Sequence, residues 1–293
     1  MATPQLGILA DVPGFSRYLE FGAIPDTDAK PALRDLACQD LGEGLVIGMG
    51  IGLVQNLGVT IDGLRPFPSL AGPGAEVPST QADLWVWVRG TDRGHIAHRG
   101  RAVEQALVGT FRRHRLVDGF TYDIGRDLSG YIDGTENPQG ENAEAAGIVA
   151  GAGDGLDGGS FVATQQWVHD LGHFESLEQD DRDNIIGRRA SDNEELDDAP
   201  ASAHVKRTAQ ESFTPEAFIV RRSMPWADSS GEGLMFVAFG KNLDAFEVQL
   251  RRMTGEDDGI VDGLFRFSRP ISGSYFWCPP VTDGHLDISA LGL

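Results

Sequence analysis

The chain has 293 residues and carries 24 Lys plus Arg against 44 Asp plus Glu, a formal net charge of −20. That imbalance excludes a nucleic-acid backbone or an anionic membrane surface as partner, because either would be repelled. The length allows one large domain or two of ordinary size, and two is the reading adopted.

In chain order, hydrophobic periodicity and turn residues predict a strand near Leu6–Ala10, a helix around Ala29–Asp40, strands at Gly44–Met49 and Leu84–Val88, a helix within Gly100–Arg112 and a strand near Gly119–Ile124. A second series follows: a strand at Ser160–His169, a helix at Leu177–Ile186, strands at Ala217–Arg222 and Leu234–Phe239, a helix at Asp244–Met253 and a strand at Tyr275–Cys278. Strands and helices mix without regular βαβ alternation, which favours an α+β chain with antiparallel sheet over a doubly wound parallel one. The expected division is an N-terminal half at 1–128, a linker at 129–159 and a C-terminal half at 160–293. Gly147–Gly159 holds six glycines and reads as a flexible connector. The acidic run Asp192–Asp198 reads as a solvated loop face.

Cys38 and Cys278 are the only cysteines, with neither disulfide-framework nor metal-type spacing, and both are expected to be buried thiols. The N-terminal residues show no basic region followed by an apolar core, and no apolar run approaches the ~20 residues that span a bilayer. The expectation is therefore a cytoplasmic protein with no membrane partner. His169 and His173 are four apart, a metal-compatible spacing on a helix, but Gly172 argues against that helix and for structural histidines. Trp85, Trp87, Trp226 and Trp277 lie in strand-like runs and are read as core or near-cofactor packing.

The most informative segment is Gly130-Tyr131-Ile132-Asp133-Gly134-Thr135-Glu136-Asn137-Pro138. It puts a carboxylate between glycines and ahead of an Asn-Pro break, which places an acid on a tightly turning loop. Downstream, Arg221 and Ser223 share one face of an extended strand while Arg222 points to the other.

This pattern, with Ile186–Arg189, Ser202-Ala203-His204 and Val220-Arg221-Arg222-Ser223 in the same order, resembles the dye-decolorizing peroxidases, most of all their compact bacterial B-type branch. The resemblance implies two ferredoxin-like halves with antiparallel sheets and peripheral helices, of the dimeric α+β barrel type. It implies one haem b per chain, with His204 as axial ligand to the iron and Asp262 accepting the other imidazole N–H. It also implies a site made of Asp133, Arg221 and Ser223, in which Arg221 stabilises the departing oxygen and Asp133 shuttles the proton. The activity expected is hydrogen-peroxide-dependent oxidation of small or dye-like donors through an oxoferryl state, in a homo-oligomer. The alternative is a haem-handling protein that stores or transfers haem, or releases its iron, without true turnover.

Overall fold

The computed structural model describes residues 2–293. Apolar runs such as Leu84-Trp85-Val86-Trp87-Val88 do not alternate with polar residues, so these strands must be covered on both faces. They belong to a set of eight: β1 Phe15–Ala23, β2 Leu45–Met49, β3 Leu84–Gly90, β4 Phe111–Phe120, β5 Ser160–His169, β6 Met224–Asp228, β7 Gly231–Gly240 and β8 Ser274–Cys278, of which β4 is exposed at Arg112, Arg113 and His114 and β6 at its end. β1 to β4 pair antiparallel in the order β4-β1-β3-β2, and β5 to β8 repeat it as β6-β7-β5-β8. Each set is a ferredoxin-like sheet.

The two sheets close on each other. Gly119 pairs with Trp226 on one side and Trp277 with Met49 on the other, making a ring of eight antiparallel strands. Both seams are short in backbone hydrogen bonds, and side-chain amides supplement the second. The Gln5 amide donates to Ile47 O (2.8 Å) and to Pro279 O (2.9 Å) and accepts from Ile47 N–H (2.8 Å). Gln81 pairs in the same way with the backbone of Tyr275.

Alternation then sorts the side chains. Tyr18, Trp85, Trp87, Met224, Trp226, Phe239 and Phe276 fill the barrel, with Trp85 stacked 6.2 Å from Trp87 and 6.0 Å from Phe276. The opposite faces, including Leu19, Leu84, Val86 and Val88, pack outward against helices. Those helices include α1 Lys30–Ala37 and α2 Arg93–Leu107 over the first sheet and α5 Asp244–Thr254 over the second, whereas α3 Gly140–Gly147 packs Ala143 and Ala146 with the barrel residues and α4 Gln179–Ile186 packs Ile185 and Ile186 with Tyr131, Phe174 and Phe267. Among the described residues no helix is long and apolar enough to cross a membrane.

Several sequence expectations shift. Leu6–Leu9 is a one-turn helix, not a strand, because the buried Gln5 side chain takes the place a strand would have filled beside β2. β1 was not anticipated, and β4 starts well before the predicted Gly119. Helix α2 begins seven residues before Gly100, N-capped by the Asp92 carboxylate, which accepts from His95 N–H at 2.8 Å. Gly100 lies inside that helix because a Cβ there would stand 2.8 Å from Arg17 Cδ. Cys278 is buried but Cys38 is exposed, at the end of an amphipathic helix rather than under it.

Truncating a ring at the centre of the barrel leaves a cavity that closed walls cannot collapse to fill. Trp85→Ala should lower unfolding free energy by about 3–5 kcal/mol in a denaturant melt followed by far-UV ellipticity. A loss below about 1 kcal/mol would mean that the barrel interior is not packed as described.

Candidate active site

The site lies on the outer face of the second sheet, not inside the barrel. Odd residues of β5 and even residues of β7 face outward, and the register sets Gln165 opposite Phe236 and Trp167 opposite Leu234. Phe246, Gln249, Leu250 and Met253 of α5 close the space from above, and Ile219 and Arg221 bound it from the side.

His204 opens a one-turn helix, His204–Arg207, and lines this cavity. Its Nδ1 is 2.8 Å from Asp262 Oδ2, while Asp262 Oδ1 accepts from Leu264 N–H at 2.8 Å. Asp262 therefore serves two partners, one oxygen each: it caps the turn that follows and holds the imidazole. Asp262 is 1% exposed. Gly263 lets the segments meet: its N–H donates to Ser202 O at 2.7 Å, and a Cβ there would fall 2.9 Å from Ile185 O. With Nδ1 committed to a carboxylate, Nε2 is the nitrogen left for a ligand.

Asp133 reaches the same cavity from the linker. Its N–H donates to Gly125 O at 3.1 Å, and Arg126 pairs with Ile132 just before it. Gly130 (φ 89°) and Gly134 (φ 79°) both take left-handed backbone that side chains resist, which bends the loop tightly around the acid. Tyr131 O–H donates to the buried Asp183 at 2.5 Å and pins the loop to α4.

Arg221 ends the short strand Val220–Arg221, which pairs with β7 through Ala238. Its side chain lines the cavity, and its Nε is buried with no partner among the described residues. Arg222 turns away and donates to Leu9 O at 2.8 Å, held by backbone carbonyls alone. Burial pushes its pKa below the usual value. Ser223 lies with Asp133 and Arg221 on an adjoining space.

A contact that sequence reasoning missed joins these parts. Asn137 accepts from Arg221 N–H and donates to Arg221 O, both at 2.9 Å, so its amide stands in for a neighbouring strand. The Asn-Pro pair looked like a loop break, and the pairing depends on a residue 84 positions away. The acidic run keeps its carboxylates exposed, as expected of a solvated face, but it is also tied to this loop. Asn193 donates to Thr135 Oγ1 at 2.9 Å, and Arg188 joins Glu136 (2.6 Å) to Glu195 (3.4 Å). Gly147–Gly159 is tied together near its ends, where Val149 exchanges backbone hydrogen bonds with Gly158 and Gly159, while residues 150–154 between them are exposed.

Three spaces of about 80, 140 and 280 Å³ meet at Asp133 and Arg221, and His204 lines the first and third. A larger groove, about 820 Å³ between α3 and α5, contains none of these residues. Chemistry, not volume, therefore identifies the site. Gln165 Nε2 is a second buried donor without a partner on the cavity wall.

Comparison with known proteins follows the same lines. The family model described as "Dyp-type peroxidase, C-terminal" matches residues 125–283. The chain is 31% identical over 224 residues to a dye-decolorizing peroxidase of Mycobacterium tuberculosis, covering 74% of this chain and 67% of that one. It is 30% identical over 280 residues to one of Rhodococcus erythropolis, covering 93% and 78%. A putative Dyp-type peroxidase from Shewanella oneidensis superposes with a TM-score of 0.87 at 27% identity over 96% of this chain and 97% of its own. A Rhodococcus jostii DypB variant in complex with heme superposes at 0.86, 27% identity, over 94% and 96%.

Removing the Asn137 amide would leave the Arg221 N–H without its partner, and its C=O with only the Arg222 guanidinium, in a half-buried site. Asn137→Ala should cost about 1–3 kcal/mol in a denaturant melt, and Asn137→Asp should cost at least as much because an acceptor would then face a carbonyl. Full stability in both variants would show that the pairing contributes nothing.

Proposed function

Because the chain belongs to the Dyp-type peroxidase family, we propose that the cavity joining His204, Asp133 and Arg221 is where its peroxidase chemistry takes place. The protein is a haem-dependent peroxidase that uses hydrogen peroxide to oxidise small-molecule donors. The cavity suits haem in three respects. Its wall is apolar at Ile219, Leu234, Phe236, Leu250 and Met253; its His204 is backed by a buried carboxylate; and two buried donors, Arg221 Nε and Gln165 Nε2, have no partner among the described residues.

When bound, haem would supply the iron at which peroxide is activated and would take up the electrons that the donor gives. His204 would hold it through Nε2. Asp262, accepting at Nδ1, fixes the tautomer and makes the imidazole a stronger base. Arg221 carries a permanent positive charge into the cavity and stabilises negative charge that develops on the departing oxygen. Asp133 takes a proton from one peroxide oxygen and returns it to the other, directly or through one water. Ser223, beside both, can hydrogen-bond bound peroxide or water. The observation that carries this reading is that an acid and an arginine converge on the cavity of a carboxylate-backed histidine. A haem carrier would need only the histidine, so the convergence favours turnover over storage or transfer.

His204→Ala should abolish tight haem binding in a titration followed by the visible absorption band, because no other histidine in this cavity has a nitrogen free: both ring nitrogens of His169 are engaged. A native-like spectrum in that variant would remove His204 as the ligand.

Losing a preorganised cation typically costs about 10²–10³ in rate, while a proton shuttle can be replaced in part by water. Stopped-flow mixing of each haem-loaded variant with peroxide should therefore show Arg221→Ala slower than Asp133→Ala, both still binding haem. If neither substitution slows the reaction tenfold, the pair is not a catalytic apparatus, and haem handling becomes the better reading.

A further inference from the structure

Asp133 lines the cavity without a side-chain hydrogen bond to any described residue, so its aim depends on the backbone of its loop. What fixes that loop is therefore part of the site. Its hairpin closes on Asp127, whose N–H donates to Tyr131 O (2.8 Å), whose C=O accepts from Gly130 N–H (2.9 Å) and whose Oδ2 accepts from Ser129 N–H (2.9 Å). The remaining oxygen, Oδ1, lies 3.2 Å from His169 Nε2. His169 ends β5, lines the same cavity as Asp133 and His204, and has its Nδ1 2.7 Å from Ser268 Oγ. The two side chains are only 6% and 13% exposed.

The polarity of this chain is determined. A carboxylate can only accept, so Nε2 must carry the proton, and in the neutral ring Nδ1 then accepts from the Ser268 hydroxyl. Burial alone would push the Asp127 carboxyl up, yet the imidazole and Ser129 hold it below the usual carboxylate range. The pair therefore contains a buried anion whose side-chain hydrogen-bond partner is His169, and among the described residues no Arg or Lys pairs with it. Taking away one partner of such a pair strands the other, and the loop would have to open to hydrate it.

We propose that Asp127 and His169 are positioning residues for Asp133, forming a clamp that ties the acid's loop to the cavity wall. The proposal rests on the reading that Asp133 acts in peroxide activation. The clamp supplies no atom to the reaction; it sets where the Asp133 carboxylate stands when peroxide arrives.

The test uses the full chain, with and without haem, as His169→Ala, His169→Gln, Asp133→Ala and the double variant His169→Ala/Asp133→Ala. Amide hydrogen exchange at Asp127, Gly130 and Asp133 reads the loop directly. It should quicken at least about tenfold in His169→Ala, equivalent to about 1.4 kcal/mol of opening free energy. His169→Gln can donate to Asp127 and accept from Ser268, and should restore most of the protection. In haem-saturated protein the peroxide rate should fall about tenfold in His169→Ala. The double variant should react no more slowly than Asp133→Ala alone, because the clamp acts through that residue. Unchanged exchange in His169→Ala would overturn the clamp, and so would a double variant slowed by the product of the two single effects. If exchange quickens but Asp133→Ala reacts at the wild-type rate, the clamp stands and the assigned role of Asp133 falls.

Discussion

Everything in this molecule depends on the closure of two four-stranded sheets into one ring. An open sheet of this composition would expose a row of unpaired N–H and C=O groups and two apolar faces. Closure removes the edges, buries one face in an aromatic core and leaves the other for helices. The cavity then occupies a stretch of that outer face where α5 stands off the floor. A rigid floor matters because residues aimed at one small space lose their effect if they drift by an ångström.

On that floor the polar parts are positioned by backbone contacts more than by ion pairs. Arg222 binds the carbonyls of Leu9 and Arg221, and Arg89 at the barrel end binds those of Asp11 and Glu43. Burial pushes the Arg89 guanidinium down to about 10, still charged at neutral pH. Anchoring Arg222 in this way fixes the alternation of its strand, and so determines that Arg221 is the neighbour turned to the cavity. Surface ion pairs such as Arg65 with Asp244 are worth little by comparison.

Much of this was legible in the sequence. The alternation argument separated Arg221 and Ser223 from Arg222, and β5 falls on the residues that its pattern indicated, Ser160–His169. Regular periodicity made the long helix α5 plain. What was illegible depended on distant partners. Helix α2 hid behind Gly100, whose small size serves the approach of Arg17. β1, Phe15–Ala23, carries Arg17 and Glu20 among its apolar residues, and Glu20 is buried because Arg115 from β4 meets it at 3.1 Å. His169 looked like an isolated structural histidine until the fold placed Asp127 on one nitrogen and Ser268 on the other. Asn137 looked like punctuation.

The pairing of Asn137 with Arg221 also bears on how the protein ages. An asparagine amide is usually lost when the next residue's backbone nitrogen attacks the side-chain carbonyl, and the acid that results would turn a donor into an acceptor against Arg221 O. The next residue here is Pro138, whose nitrogen carries no hydrogen and cannot complete that attack. The proline that ends the loop therefore also shields the amide from the commonest spontaneous chemistry that would unmake it, so this joint is built to outlast ordinary asparagines elsewhere on the surface.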